Sequence, residues 1–330
     1  MAINDDERRL WEQAKEVRAQ LAEKDLLVND QALNAYLETV LNGLMLAPVP
    51  EQVPKPAVYV MRSPVRIGSS FADGGILVTV GMLAAIQNEA QLAALLGHEL
   101  GHFTARHAFV QSRFAATNRS TVDRMELSRQ NESAADQYAL MAMRQAGYDP
   151  REALKLLALS KPEEGELSPG MEPFRSHPFT QERIHDLNAA IGAVQGQTLR
   201  VDEERYNQAI VSVLPVAADV ELKAGQLERA NASIARLLAL QPDSGRAYYL
   251  KAEHARLTER DGRNSAPARQ AYQRAVELAP NDPEAVRALG LLYQGDGNMA
   301  AATPLLEKYL QLAPDAADRK LIERYLGRHQ

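Results

Sequence analysis

The sequence predicts a mainly α-helical chain with one small β-sheet, divided into two domains at 1–196 and 197–330. Three observations support this fold class. Apolar residues recur every three or four positions along most of the chain, as on helices that bury one face. Strand-like segments appear between positions 57 and 80. From residue 211 onward the strand signals disappear and prolines recur after similar apolar patterns, so the second domain is expected to be a stack of helix pairs.

The composition excludes several classes of function. The formal net charge is −6, and neither domain shows the basic stripe of a nucleic-acid-binding protein. The absence of cysteine excludes disulfides and thiolate metal ligands. The longest nearly uncharged apolar stretch, 74–86, is too short to span a bilayer, so no transmembrane segment is expected. The charged N-terminus lacks the apolar core of a signal peptide, so either none is made or one has been removed.

The first elements follow from local pattern. Two amphipathic helices are expected over 10–21 and 33–46, and they end at a proline-rich run because proline cannot continue a helix. The segments 57–61 and 74–80 predict strands. A long helix is expected to follow Asn88, whose side chain can accept a hydrogen bond from an amide of the first turn.

The rest of the first domain is predicted to be helical apart from one long loop. A helix is expected over about 129–145, and it stops at Gly147, which tolerates the positive φ of a helix end. The segment 161–180 is rich in proline, glycine and glutamate and predicts a loop. Loops of that length are usually either functional or disordered.

The second domain carries a repeat signal. Pro242, Pro280 and Pro314 follow similar apolar endings, and the last two are separated by the tetratricopeptide period. About three repeats are expected over 211–314, followed by a capping helix over 316–326. The alternative is an ordinary helical bundle in which the regular spacing of the prolines arises by chance.

The segment HELGH at 98–102 carries the main chemical signal. His98 and His102 lie four positions apart, so a helix projects both imidazoles from one face, where they can share a tetrahedral zinc ion. Glu99 is rotated by about 100° from His98 and can act as general base on a water at the metal without being a ligand. This pattern predicts one Zn²⁺ per chain. The alternative is a helix whose histidines are only hydrogen-bonded.

The third ligand is expected from a second helix, which contains NESAADQYALM. Glu132 and Asp136 share one face of it, and neighbouring alanines permit close helix approach. We assign Glu132 to zinc and expect Asp136 to accept a hydrogen bond from the second ring nitrogen of His98. The alternative is a solvated acidic pair. His107 lies five positions after His102, off the ligand face, and is expected to be structural.

These segments resemble the signature segments of metallopeptidase family forty-eight, which includes the HtpX heat-shock proteases and the CAAX prenyl endopeptidases. The resemblance covers 58 to about 191 and is carried by GHELGHFTARHA, NESAADQYAL, AGYDP and SHPFTQERI. It implies a gluzincin-type domain with zinc ligands at His98, His102 and Glu132 and a general base at Glu99.

Tetratricopeptide repeats after such a domain resemble the periplasmic members of this family that enhance β-barrel assembly in Gram-negative bacteria. The resemblance implies a periplasmic location if a signal peptide has been removed, with the cytoplasm as the alternative. It also implies that the repeats bind a protein partner, such as the outer-membrane β-barrel assembly machinery.

Two expectations concern side chains that act on the zinc site from its surroundings. His177, in the predicted loop, is a switch-like fourth ligand that would replace the catalytic water, because neutral histidine binds zinc well. The alternative is a surface histidine or one that binds substrate. Arg183 and Tyr138 are the candidates for stabilising the oxyanion of the transition state.

A further expectation concerns substrate binding at the edge of the sheet. If the second predicted strand is exposed there, it can pair with a protein substrate in extended conformation. The alternative is an ordinary buried strand. Its residues are Ile76, Leu77, Val78, Thr79 and Val80.

The sequence therefore favours a zinc endopeptidase that acts on unfolded or misassembled protein, with a repeat domain for recruitment. One alternative is a binding or chaperone module with low or latent protease activity, which would have no need of Glu99. Another is a repeat scaffold with a structural zinc, but such sites use four protein ligands.

Overall fold

The computed structural model describes residues 3–117, 120–159, 181–192, 199–258 and 265–327. Within these ranges the chain is mainly α-helical with a small β-sheet, as the sequence predicts. It divides into two compact units, the first ending at Val213 and the second beginning at Leu214. No helix in the described ranges combines the length and the apolar composition needed to cross a bilayer.

The first unit contains the sheet and the helices that surround it. The strands are β1 (Ala57–Met61), β2 (Gly68–Ser70) and β3 (Gly75–Thr79). The helices are α1 (Asp5–Glu23), α2 (Gln31–Gly43), α3 (Val80–Ala85), α4 (Glu89–Thr104), α5 (His107–Ala115), α6 (Thr121–Gln145), α7 (Glu152–Leu159), α8 (Gln181–Ile191) and α9 (Glu203–Ile210).

The sheet has the strand order β1-β3-β2, with β3 parallel to β1 and antiparallel to β2. Every residue of β3 is buried, and Val80 already belongs to α3. The expectation that 76–80 is an exposed edge that pairs with a substrate is therefore wrong, because a neighbouring strand occupies each side of β3. The short strand β2, which the sequence analysis did not predict, is one of the two edges.

Helix α4 forms the centre of the first unit and is buried along almost its whole length. The predicted N-cap is confirmed, because the Asn88 Oδ1 atom accepts a hydrogen bond of 2.9 Å from the Gln91 amide. Helix α6 packs along α4 and ends before Gly147, which has a φ of 77°. It begins at Thr121, earlier than predicted, because Ser120 and Asp123 form a capping box.

The division between the units falls later than the predicted boundary at 196/197, a position that lies outside the described residues. Helix α9 belongs to the first unit because its side chains bind residues there. Tyr206 is fully buried and its hydroxyl donates a hydrogen bond of 2.6 Å to the Leu83 carbonyl oxygen. Arg205 donates to the Glu89 carboxylate at 3.0 Å. A single short helix carries no sequence signal that would assign it to either unit.

The second unit is the stack of helix pairs that the sequence predicts. Gly225 and Gly297, with φ of 73° and 76°, each separate the two helices of a pair. Buried alanines and larger apolar side chains fill the space between neighbouring helices. The helices are α10 (Leu214–Lys223), α11 (Leu227–Leu240), α12 (Gly245–Thr258), α13 (Ala266–Leu278), α14 (Pro283–Gly295), α15 (Met299–Leu312) and α16 (Arg319–Tyr325). Helix α16 occupies the position of the expected capping helix.

Candidate metal centre

Three side chains from α4 and α6 converge at one buried point. The Nε2 atoms of His98 and His102 are 3.1 Å apart, and they lie 3.4 and 3.5 Å from the two carboxylate oxygens of Glu132. The exposed fractions of these three residues are 7%, 7% and 2%. Neighbouring ligand atoms around a tetrahedral zinc are about 3.3 Å apart, given metal–ligand distances near 2.0 Å. Two imidazole nitrogens and one carboxylate at these separations therefore fit a single zinc ion.

Two glycines bring α4 and α6 close enough for this cluster to form. A Cβ atom at Gly101 would lie 2.8 Å from the Cα atom of Ala135, and one at Gly97 would lie 3.1 Å from the Cα atom of Ala139. Glycine in the middle of a helix costs about 0.5–1 kcal/mol relative to alanine. Here it permits backbone contact between the helices, which places Glu132 opposite the two histidines.

Glu99 follows His98 on α4 and is only 1% exposed. It lies beside the edge strand β2, since a Cβ atom at Gly68 would be 3.5 Å from its Oε1 atom. Burial lowers the pKa of Arg183, but the contact with Asp136 and the charges of Glu132 and Glu99 outweigh this effect and raise the pKa. The Glu99 carboxylate is thus buried next to the histidine pair, and its charge acts on the guanidinium of Arg183.

Asp136 binds the second ring nitrogen of His98. The distance between the Asp136 Oδ1 atom and His98 Nδ1 is 2.8 Å. Burial disfavours a charged imidazole, but hydrogen bonds to Asp136 and Glu132 outweigh it and raise the pKa of His98 to about 10. Burial raises the pKa of Asp136, and the contacts with His98 and Arg183 more than reverse this, so the aspartate remains ionised. A carboxylate bound in this way orients the ring and makes its other nitrogen a stronger donor to a metal.

Of the two candidate oxyanion donors, Arg183 lies within the cluster. Its guanidinium donates to both carboxylate oxygens of Asp136 at 2.8 and 2.9 Å and lies 3.0 Å from Glu132 Oε2. It therefore balances part of the negative charge that these buried carboxylates concentrate at one place. The hydroxyl of Tyr138 instead accepts a hydrogen bond of 3.3 Å from the Leu46 amide, after the end of α2.

Two further histidines, His177 and His107, were considered in the sequence as neighbours of the site. His177 lies outside the described residues. His107 is 6% exposed, and its Nδ1 atom is 2.8 Å from the Nδ1 atom of His102. In a continuous helix His107 would lie off the ligand face, as the sequence predicts. The helix ends at Thr104, and the only signal of a contact with His102 was the clustering of three histidines in ten residues.

Fold and site together define a metallopeptidase domain followed by a helical-repeat domain. Residues 31–122 and 113–191 match the model of Peptidase family M48, and residues 260–327 match a tetratricopeptide-repeat model. The first unit of this chain therefore contains a peptidase family M48 domain, and the second contains a tetratricopeptide repeat.

The curated relatives that resemble this chain are metalloendopeptidases or proteases by name. The mitochondrial metalloendopeptidase OMA1 of Schizosaccharomyces pombe is 26% identical over 56% of this chain and 60% of the relative. Its Arabidopsis thaliana counterpart is 30% identical over 29% of this chain and 24% of the relative. The beta-barrel assembly-enhancing protease of Escherichia coli is 21% identical over 54% of this chain and 43% of the relative. The chain thus spans about a quarter to three fifths of the length of these relatives.

Proposed function

We propose that this protein is a zinc-dependent endopeptidase that cleaves unfolded or misassembled proteins and recruits them, or a partner, through its repeats. The convergence of His98, His102 and Glu132 beside the buried carboxylate of Glu99 is the observation that supports this function most strongly. A structural zinc site would use four protein ligands, whereas the described residues provide three, the number typical of a catalytic site that binds water or substrate in the fourth position.

The donor set supports zinc as the metal. Neutral imidazole and carboxylate in tetrahedral arrangement are typical zinc ligands, and the chain has no cysteine to form a thiolate site. We assign one Zn²⁺ per chain to His98, His102 and Glu132, with His177 as the proposed switch-like fourth ligand. When bound, zinc would polarise the scissile carbonyl and lower the pKa of a water molecule.

The side chains around the metal then have separate tasks. Glu99 takes a proton from the attacking water and returns it to the leaving amine, because its carboxylate is beside the metal ligands and not among them. Asp136 orients His98. Arg183 holds Asp136 and Glu132 in place and keeps a positive charge where the transition state develops negative charge.

We propose that the substrate-binding edge of the sheet is strand β2 and not β3. It is the sheet edge that packs against α4, and its Gly68 lies next to Glu99. An extended peptide that paired with the outer side of β2 would present its backbone carbonyls alongside Glu99. We therefore propose that substrates bind in extended conformation by adding a strand to this edge.

The test compares two site variants with matched controls, using casein as an unfolded substrate. Glu99→Gln should keep stoichiometric zinc and lower cleavage by at least about 100-fold, since an amide cannot accept the proton. His98→Ala should lose the zinc as well. Glu38→Gln, on the exposed face of α2, and His254→Ala, in the second unit, should behave like the wild type. Cleavage by Glu99→Gln at the wild-type rate would contradict the assignment of Glu99 as the base. Stoichiometric zinc in His98→Ala would contradict the proposed set of metal ligands.

The second candidate function is a binding or chaperone module with low protease activity, which the large repeat unit favours. The relatives named for β-barrel assembly support a periplasmic location and a partner in outer-membrane assembly, with the cytoplasm as the alternative compartment.

Removing 214–330 distinguishes the roles of the two units. An endopeptidase with recruiting repeats should cleave a short peptide within about twofold of the full chain. Its cleavage of casein should weaken markedly, and equal loss on both substrates would contradict a purely recruiting role.

A further inference from the structure

The chain reverses direction immediately after the helix that carries the two histidines. Helix α4 ends at Thr104, and α5 begins at His107. Between them Arg106 has a φ of 56° and a ψ of 36°, in the left-handed region that residues with a Cβ atom rarely adopt. A residue with a long side chain persists in this conformation only where its surroundings hold it there.

An ion pair with helix α1 holds Arg106. Its Nε atom donates to the Oε1 atom of Glu7 at 2.7 Å, and its Nη2 atom contacts the other carboxylate oxygen. Glu7 lies on α1 and is only 5% exposed. The guanidinium also stacks over the ring of Phe109, 4.9 Å from its centroid. A two-pronged arginine–carboxylate pair fixes orientation as well as distance.

The reversal changes where the His107 side chain lies. In a continuous helix, five residues turn through about 500°, which would place it roughly 140° around the axis from His102. Instead the two rings meet edge to face, with centroids 4.8 Å apart and an angle of 76° between the ring planes. The Nε2 atom of His102 faces His98 and Glu132, while its Nδ1 atom faces His107.

We infer that His107 is a positioning residue for the metal ligand His102, and that the Glu7–Arg106 pair maintains the turn that places it. The inference rests on the proposed metal site. In a neutral imidazole one nitrogen carries the proton and the other accepts. His107 accepts from the Nδ1–H of His102 and thereby leaves the lone pair of His102 Nε2 directed toward the cluster. Asp136 accepts the equivalent hydrogen bond from the Nδ1–H of His98. One ligand is therefore oriented by a carboxylate and the other by a second imidazole.

The first experiment measures zinc affinity of the full chain by competition with a chromophoric chelator and records the visible spectrum with Co²⁺ in place of zinc. His107→Asn places an amide oxygen near the position of Nδ1 and keeps an acceptor, whereas His107→Leu removes it. We expect about 10–100-fold weaker zinc binding and an altered Co²⁺ spectrum in His107→Leu, since removing partners of ligating histidines typically has this effect. His107→Asn should remain within a few-fold of the wild type.

The controls separate this inference from the proposed function. His185→Leu changes an exposed histidine on α8 and should leave affinity and spectrum unchanged. If the wild type binds zinc and His107→Leu binds it equally well, the positioning role is refuted while the metal site stands. If His107→Asn is as weak as His107→Leu although both are folded by circular dichroism, the acceptor is not the cause. A wild type that binds no zinc overturns the metal site and this inference together.

The second experiment tests the turn. Glycine adopts the left-handed conformation readily and alanine does not, so Arg106→Gly keeps the turn without the ion pair, whereas Arg106→Ala loses both. We expect Arg106→Ala to weaken zinc binding several-fold more than Arg106→Gly. Glu7→Gln should weaken binding in the wild type and have no further effect in Arg106→Gly. Equal affinity of the two Arg106 variants would show that the turn does not position His107.

Discussion

The two units bury different kinds of side chain. In the first unit the buried set includes acidic residues on several elements, among them Glu7, Asp73, Glu89, Glu132 and Glu152. In the described part of the second unit the buried charged residues are confined to its first helix pair, and the remaining core consists of alanine, leucine, tyrosine and similar side chains. The first unit buries charged side chains that hold the residues of the candidate metal site in fixed positions. A stack of helical repeats requires only close packing between neighbouring helices.

Glu89 shows how the first unit stabilises such a buried charge. It is 0% exposed and lies in the first turn of α4, where the helix dipole favours a negative group. The hydroxyls of Tyr148 and Tyr36 donate to its carboxylate at 2.6 and 2.9 Å, and Arg200 and Arg205 donate at 3.1 and 3.0 Å. Burial and the adjacent carboxylate raise the pKa of both tyrosines, so they remain donors. The network fixes the start of the helix that carries His98 and His102.

The largest expected difference between the units is their response to zinc. If the ion binds only where α4 and α6 are packed together, it stabilises the first unit by about 4 kcal/mol at a free concentration 1,000 times its Kd. The second unit should be unaffected. Calorimetry with zinc and with a chelator should show one zinc-dependent transition and one that does not move. A zinc-dependent transition of the second unit would break the comparison.

Glycine substitutions should give the next largest difference. A Cβ atom at Gly101 meets the backbone of Ala135 at 2.8 Å, which cannot yield, so Gly101→Ala should destabilise the first unit by about 1–3 kcal/mol and weaken zinc binding. A Cβ atom at Gly290 meets the end of the Leu306 side chain at 2.8 Å, which can rotate, so Gly290→Ala should cost less than about 1 kcal/mol.

Gly295→Ala is the control for the glycine series. Nothing lies within 4 Å of a Cβ atom at that position, so this variant should be neutral or slightly more stable, as expected from helix propensity. Denaturant melts of the three variants provide the measurement. Equal losses at Gly101 and Gly290 would mean that both helix pairs adjust to the same extent.

Helix caps should give the smallest difference. Asn88 is buried, accepts from the Gln91 amide and donates to Glu152 Oε2 at 2.9 Å. Asn88→Ala should therefore cost about 2 kcal/mol, because a buried carboxylate loses one of its donors in addition to the lost cap. Asp282 caps α14 near the surface by accepting from the Glu284 amide, and Asp282→Ala should cost about 1 kcal/mol. Urea titrations of the two variants would refute this ranking if Asp282→Ala proved the more damaging.

Features that depend on short stretches of chain could be predicted from the sequence. Helix geometry alone places His98 beside His102 and Glu132 beside Asp136, and the Asn88 cap and the repeat period are equally local. The pairing of the two helices was predicted from the alanines on the second helix. For these features the sequence separation is small or the spacing is regular, so elementary geometry is sufficient.

Features that depend on distant partners could not be predicted. Strand β2 is three residues long and has no alternating pattern, so the sequence left open whether β3 was an exposed edge or a buried strand. The contact of His107 with His102 depends on a left-handed residue, and the side chain that binds that residue, Glu7, lies 99 positions earlier. No local pattern encodes a pairing of that range.

The partners of Glu89 are synthesised long after Glu89 itself, which matters while the protein is still on the ribosome. Its last partner, Arg205, is 116 positions further along the chain. At translation rates of 5–20 residues per second, the ribosome needs about 6–23 s to add them. During that interval the start of α4 carries a carboxylate whose arginine partners have not yet been made. The set of groups that binds the Glu89 carboxylate is therefore complete only shortly before synthesis of the repeats begins.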